Sequence, residues 1–95
     1  MKTVFEIRNT MIDSMMATDA IQKTLSAMTT AQHAAVRAGV RFDYDAAASP
    51  MLMQQKAARE IYRQACSDLE KHGEEVYDKT YELVRHSLIS AGIEI

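Results

Sequence analysis

Helix-breaking residues are scarce in this chain. Glycine stands only at 39, 73 and 92, and Pro50 is the sole proline in 95 residues. Long stretches free of both residues favour helix, because each destabilises a helix interior. Every glycine follows a run whose apolar residues recur at three- and four-residue intervals, where a residue able to take positive φ commonly ends a helix. Ser49 before Pro50 reads as an N-cap serine with proline at the first helical position. Three helix ends and one helix start are thereby marked.

The segments between these marks differ in character. Over residues 4–38, Ile7, Met11, Ser14, Thr18, Ile21, Leu25 and Met28 share one helical face. Thr3 with Glu6 forms a capping box at its start. The stripe is polar at Ser14 and Thr18, so Thr18 is a candidate cap for a new helix, as are Thr29 and Thr30; the segment reads as one rod or as two to three pieces. Residues 40–45 alternate apolar and charged, the period of a short strand or an extended linker. Residues 51–72 form a helix with Met51, Gln55, Ala58, Ile61, Tyr62, Ala65 and Leu69 inward. Residues 74–91 form another, with Tyr77, Tyr81, Val84, Leu88 and Ala91 inward. The two are joined by too short a link for anything but a tight turn.

These segments imply a single all-α domain over residues 1–95, a small bundle of three to five helices ending in an antiparallel helical hairpin. The alternative is an α+β fold with a minimal sheet from residues 3–8, 40–45 and 93–95. Ninety-five residues suffice for one domain and leave it a narrow stability margin. Eleven Lys and Arg against thirteen Asp and Glu give a net charge of −2, a poor balance for neutralising many phosphates, so nucleic acid is not the expected partner. Cys66 is the only cysteine, which rules out an intrachain disulfide and a multi-thiolate zinc site and favours a reducing, cytoplasmic setting. No apolar run is long enough to span a bilayer, and the N-terminus lacks the pattern of a signal peptide.

Chemistry-bearing constellations are few. Glu74, Asp78, Glu82 and His86 recur every four residues and line one helix face. A rise of about 5.4 Å per turn prevents one ion from reaching all four, and the Glu-x-x-His spacing of helical di-iron proteins is absent. The row reads as a solvated acidic face or a docking surface for a basic partner. Arg63 falls opposite Glu82 if the last two helices pair antiparallel. With no catalytic grouping and no glycine-rich loop, catalytic residues, metal ligands and cofactors are all expected to be absent.

The stretch Ala35-Val36-Arg37-Ala38-Gly39-Val40 resembles the alanine-to-glycine core of a helix-turn-helix, which implies a DNA-associated transcriptional regulator using residues 30–45. Its recognition helix would have to begin at 41–45, where two acids meet the phosphates and Asp45 occupies an apolar position. Seven methionines make the last feature, among them Met11, Met15, Met16, Met51 and Met53. Adjacent Met15 and Met16 cannot both face inward, nor can Met51 with Met53, so some apolar surface is exposed there. Flexible thioethers suit partner-binding faces.

The expected function is therefore stoichiometric, non-enzymatic binding to a partner protein as regulator, adaptor or inhibitor, with homo-oligomerisation; size and charge suggest a phage-like or mobile-element protein. The expected contacts are Phe42, Asp43, Tyr44 and Asp45, the acidic Glu74, Asp78 and Glu82, and the methionines Met15, Met16, Met51 and Met53. The four residues at 42–45 combine aromatic anchors with acids that steer a basic partner.

Overall fold

The computed structural model describes residues 2–93 and contains three α-helices: α1 (Val4–Arg37), α2 (Tyr44–Glu70) and α3 (Glu74–Ser90). No strand occurs among the described residues, so the all-α class holds and the alternative sheet does not form. Residues 4–8 open α1, residues 40–43 link α1 to α2, and of the third proposed strand residues 94 and 95 lie outside the described residues.

α1 is one rod of 34 residues, about 51 Å long at 1.5 Å per residue. Thr3 caps it, its Oγ1 accepting the Glu6 N–H at 3.1 Å. The threonines read as new starts bond backward instead. Thr18 Oγ1 donates to the Ser14 carbonyl, Thr29 to Leu25 and Thr30 to Ser26, at 2.9 to 3.2 Å. This i−4 bonding lets a hydroxyl sit inside a helix without breaking it. Ser14, buried on the inward face, is satisfied by the Met11 carbonyl at 3.1 Å.

α2 starts earlier than the Ser49–Pro50 pair suggests. Its N-cap is Asp43, whose Oδ1 accepts the Ala46 N–H at 3.1 Å. Pro50 lies within the helix, on exposed backbone where water can serve the carbonyl that loses its partner. The extra turns form because Ala48 is buried, with Tyr44 and Ala47 half-buried in the same stretch. Gly39 ends α1 with φ 71°, and the bond from Val40 N to the Ala35 carbonyl at 2.8 Å closes a Schellman turn. Gly92 repeats the device: Ile93 N reaches the Leu88 carbonyl at 3.0 Å, and Ile93 folds into the core.

α1 and α2 form the principal pair, locked in antiparallel register by Gln55 Nε2 donating to Gln22 Oε1 at 3.0 Å. At one end of the pair, His72 Nε2 lies 3.1 Å from the Lys2 carbonyl. α3 returns along the same end and packs more on α1 than on α2. The core is Ile7, Met11, Ala65, Leu69, Val84, Leu88 and Ile93, ringed by Val4, Ile12, Met15, Tyr62, Cys66, Val76, Tyr77 and Tyr81. Arg63 does not reach Glu82; it pairs with Glu60 on its own helix at 2.8 Å, and Glu82 with Arg85 at 3.6 Å.

Helix lengths dictate the shape. α3 has 17 residues against 34 and 27, so it covers only one end of the α1–α2 pair. Ile93, just past its end, already lies beside Gln22 and Gln55. Beyond that level α1 and α2 continue alone as a two-helix arm. The molecule measures 57 × 24 × 16 Å with a radius of gyration of 17.2 Å, against about 13 Å for a compact chain of this size.

Candidate functional site

The arm comprises the C-terminal half of α1, the N-terminal part of α2 and the link between them. Its composition departs from the rest of the chain. Residues 24–36 and 46–55 contain no Asp, Glu, Lys or Arg, although the chain carries 24 such residues. Ala, Thr, Ser, Gln and Met replace them. Only Leu25 and Ala48 are buried in these two stretches before the Gln55 lock, and both face the α1–α2 seam. Val36 (71% exposed), Val40, Leu52 (51%) and Met53 (72%) stand in solvent. A helix pair with no third element beside it and no charge to hold water leaves an apolar surface of the kind that marks interaction sites.

Formal charge returns at the two ends of the arm. Arg37, Arg41, Asp43 and Asp45 surround its tip, and Lys23, Lys56 and Arg59 stand at its base. Phe42 and Tyr44 are half-buried at the tip, while Asp43 and Asp45 are exposed. Asp43 also caps α2, so its carboxylate has a structural role that the sequence reading did not assign.

The expected contact residues do not assemble into one surface. The 42–45 group sits at the tip, whereas exposed Glu74, Asp78 and Glu82 run along α3 from the opposite end of the long α1–α2 pair. Nearly the whole 51 Å of α1 separates Glu74 from the tip, so no compact partner surface spans both. Glu82 lies 3.6 Å from Arg85 and 4.0 Å from His86 Nε2, while Lys79 pairs with Glu75 at 3.0 Å. The row is thus threaded with its own cations.

The methionines divide as well. Met15 packs on the body core while Met16 is exposed. Met51 is half-buried and Met53 points to solvent, both on the arm. The Gln22–Gln55 register sets the Met51 level roughly 16 Å along the axis from Met15. What sequence reasoning missed is the uncharged span itself, although counting charges along the chain exposes it.

The one thiol lies on the body. Cys66 is half-buried against the core beside Tyr62 and Tyr77, and Tyr77 stacks on Tyr81 with ring centroids 6.1 Å apart. Burial pushes the Cys66 thiol up, which the Tyr62 and Tyr77 hydroxyls partly offset by hydrogen bonding. Burial likewise holds the Tyr62 hydroxyl well above the usual tyrosine range. A raised thiol pKa lowers the share of reactive thiolate, and the contacts of Cys66 are those of a side chain packed on the core.

No group of three His, Cys, Asp or Glu among the described residues is placed to hold a metal ion, and none of their helices is long and apolar enough to cross a membrane. Residues 30–45 form the end of one long helix and the start of an antiparallel neighbour, not the crossed pair of about 90 to 120° that a helix-turn-helix presents to a groove. No family model, curated protein or solved structure matches the chain.

Proposed function

We propose that this protein is a non-enzymatic binding module whose arm docks stoichiometrically on a partner protein, as a regulator, adaptor or inhibitor. One observation carries the reading: the arm projects beyond the three-helix body as a helix pair free of charge between its base and its tip, with Val36, Leu52 and Met53 uncovered. In a marginally stable domain of this size, solvating such a surface confers no stability, whereas burying it against a partner does. Small Ala and Ser side chains let another element approach closely, and Leu52, Met53, Val36 and Phe42 supply anchors. The body holds the arm at its base, with α2 and α3 acting as an antiparallel hairpin that clamps α1. The protein works in the cytoplasm, where the unpaired Cys66 stays reduced.

Capture from host lysate with the intact chain as bait tests this. Met53→Glu and Val36→Glu alter residues that are already exposed and should leave the melting curve in place while abolishing capture of the protein retained by the parent. Leu83→Glu, an equally exposed change on α3, should retain it, and titration calorimetry with the purified partner should give one arm per partner. Equal capture by the arm variants overturns the reading.

A further inference from the structure

One exposed face of α2 follows the spacing of a helix-pairing seam. Asp45, Ser49, Leu52, Lys56 and Arg59 are separated by four, three, four and three residues, so they form a continuous stripe. All five are exposed, and none belongs to the inward face of Ala48, Gln55 and Ala58. The stripe is self-complementary. If it is reversed end to end about a point between Pro50 and Met51, Asp45 falls opposite Lys56 and Ser49 opposite Leu52, while Arg59 extends past the start of the other copy's α2. Every acid meets a base, and the large apolar residue meets a small one.

We infer that this face of α2 binds the same face of a second copy, forming an antiparallel, two-fold symmetric dimer. A two-fold interface requires that residue i meet j while j meets i, and the Asp45–Lys56 and Ser49–Leu52 pairs satisfy that condition at once. Two Asp45–Lys56 pairs flank a centre of two Leu52 side chains, each seated on the other copy's Ser49, with the exposed Met53 beside them. Sliding the helices by one turn in one direction sets Leu52 opposite Asp45. In the other it exchanges the Asp45–Lys56 pairs for Asp45–Arg59 pairs and sets Leu52 against Leu52, so the Asp45–Lys56 register is the one that seats each Leu52 on a small residue. The contact spans Asp45 to Lys56, about 18 Å of helix. That is small for a stable complex, below roughly 1,200 Å² in total, so the dimer dissociates on dilution.

The inference deepens the proposed function by giving one face of the arm a second copy, and it rests on that reading only in using the arm as a binding surface. Val36 and Phe42, outside the stripe, stay available to a different protein.

Sedimentation equilibrium of the intact chain over a wide concentration range tests it. The parent should pass from the 10.7 kDa monomer to twice that mass. Asp45→Lys alone and Lys56→Asp alone should each weaken association about tenfold, because both symmetric pairs become repulsive together. An equimolar mixture of the two variants should recover the dimer, because each heterodimer pair is again opposite in sign. Leu52→Glu should give a monomer with an unchanged helical melting curve. A parent that stays monomeric, a mixture no more associated than its components, or a dimer that survives Leu52→Glu would each overturn the inference. Partner capture is scored separately: Asp45→Lys with Lys56→Asp in one chain restores the dimer, so loss of capture at Val36→Glu still reports on the partner alone.

Discussion

The body and the arm are made from the same two helices and differ in what lies beside them. In the body, α3 closes over α1 and α2, and seven residues from all three helices and the turn after α3 are buried together. In the arm, the pair has two faces open to water, and only Leu25 and Ala48 are withdrawn from it. The body is dense in charge and the arm carries it only around its tip. The body can spend its surface on solubility because its stability lies inside. The arm has little inside, so its apolar residues are available to something else.

The sharpest way to break this comparison is to remove equivalent side chains from the two regions. Leu88→Ala empties a site that is 1% exposed and should cost about 2 to 5 kcal/mol in chemical denaturation, a large share of the total. Leu25→Ala should cost about 1 to 2 kcal/mol, because two helices with open flanks can close around the loss. Equal costs would mean that arm and body are one cooperative core.

Hydrogen exchange sharpens the same point without mutation. Amides near Leu69, Val84 and Leu88 should exchange only through global unfolding, and those in residues 24–36 and 46–54 through local opening at lower free energy. Uniform protection along α1 would contradict the division.

Asp43 offers a smaller test, at the tip. Asp43→Ala removes the carboxylate that accepts the Ala46 N–H and should cost about 1 kcal/mol, seen as earlier loss of protection in the arm with the body unaffected. Asp43→Asn, which keeps an accepting oxygen, should restore most of it.

The smallest effect concerns pH and lies in the body. Burial raises the Cys66 thiol and the Tyr62 hydroxyl in the folded state. A group raised by folding contributes its full stability below its unfolded pKa and loses it as pH rises through the folded one. The melting temperature should therefore decline from about pH 8.5 upward, where an unfolded thiol begins to ionise. Tyr62→Phe should flatten the more alkaline part of that decline, and an arm change such as Leu25→Ala should leave its slope alone.

Much of the buried face, in the body and at Leu25 of the arm, could be read along the chain. Ile7, Met11, Ser14 and Leu25 of α1, Gln55, Ala58, Ala65 and Leu69 of α2, and Val84 and Leu88 of α3 were all assigned inward and are buried. Ile61 was assigned inward and is exposed, because it flanks the side of α1–α2 that α3 does not cover. Tyr77 and Tyr81, also assigned inward, are half-buried and stack on each other at the edge of the core.

The candidate site was legible only in fragments. The residues at 42–45 and Met53 were singled out and do lie on the arm, but they were joined to an acidic row that the fold puts at the far end of the molecule. Spacing within a helix says which residues share a face. It does not say which faces of different helices come together, because that depends on lengths and register.

The sequence by itself determined the helical class, the turns at Gly39, Gly73 and Gly92, and the Thr3 cap, since each follows from local backbone chemistry over a few residues. Only the tertiary structure decided that α1 is unbroken, that α2 begins at Tyr44 ahead of its proline, and that α3 stops short of the arm. Threonine can cap a helix or bond back into one, and proline can open a helix or be carried inside it. In each case packing against the neighbouring helix settles which local option has the lower free energy.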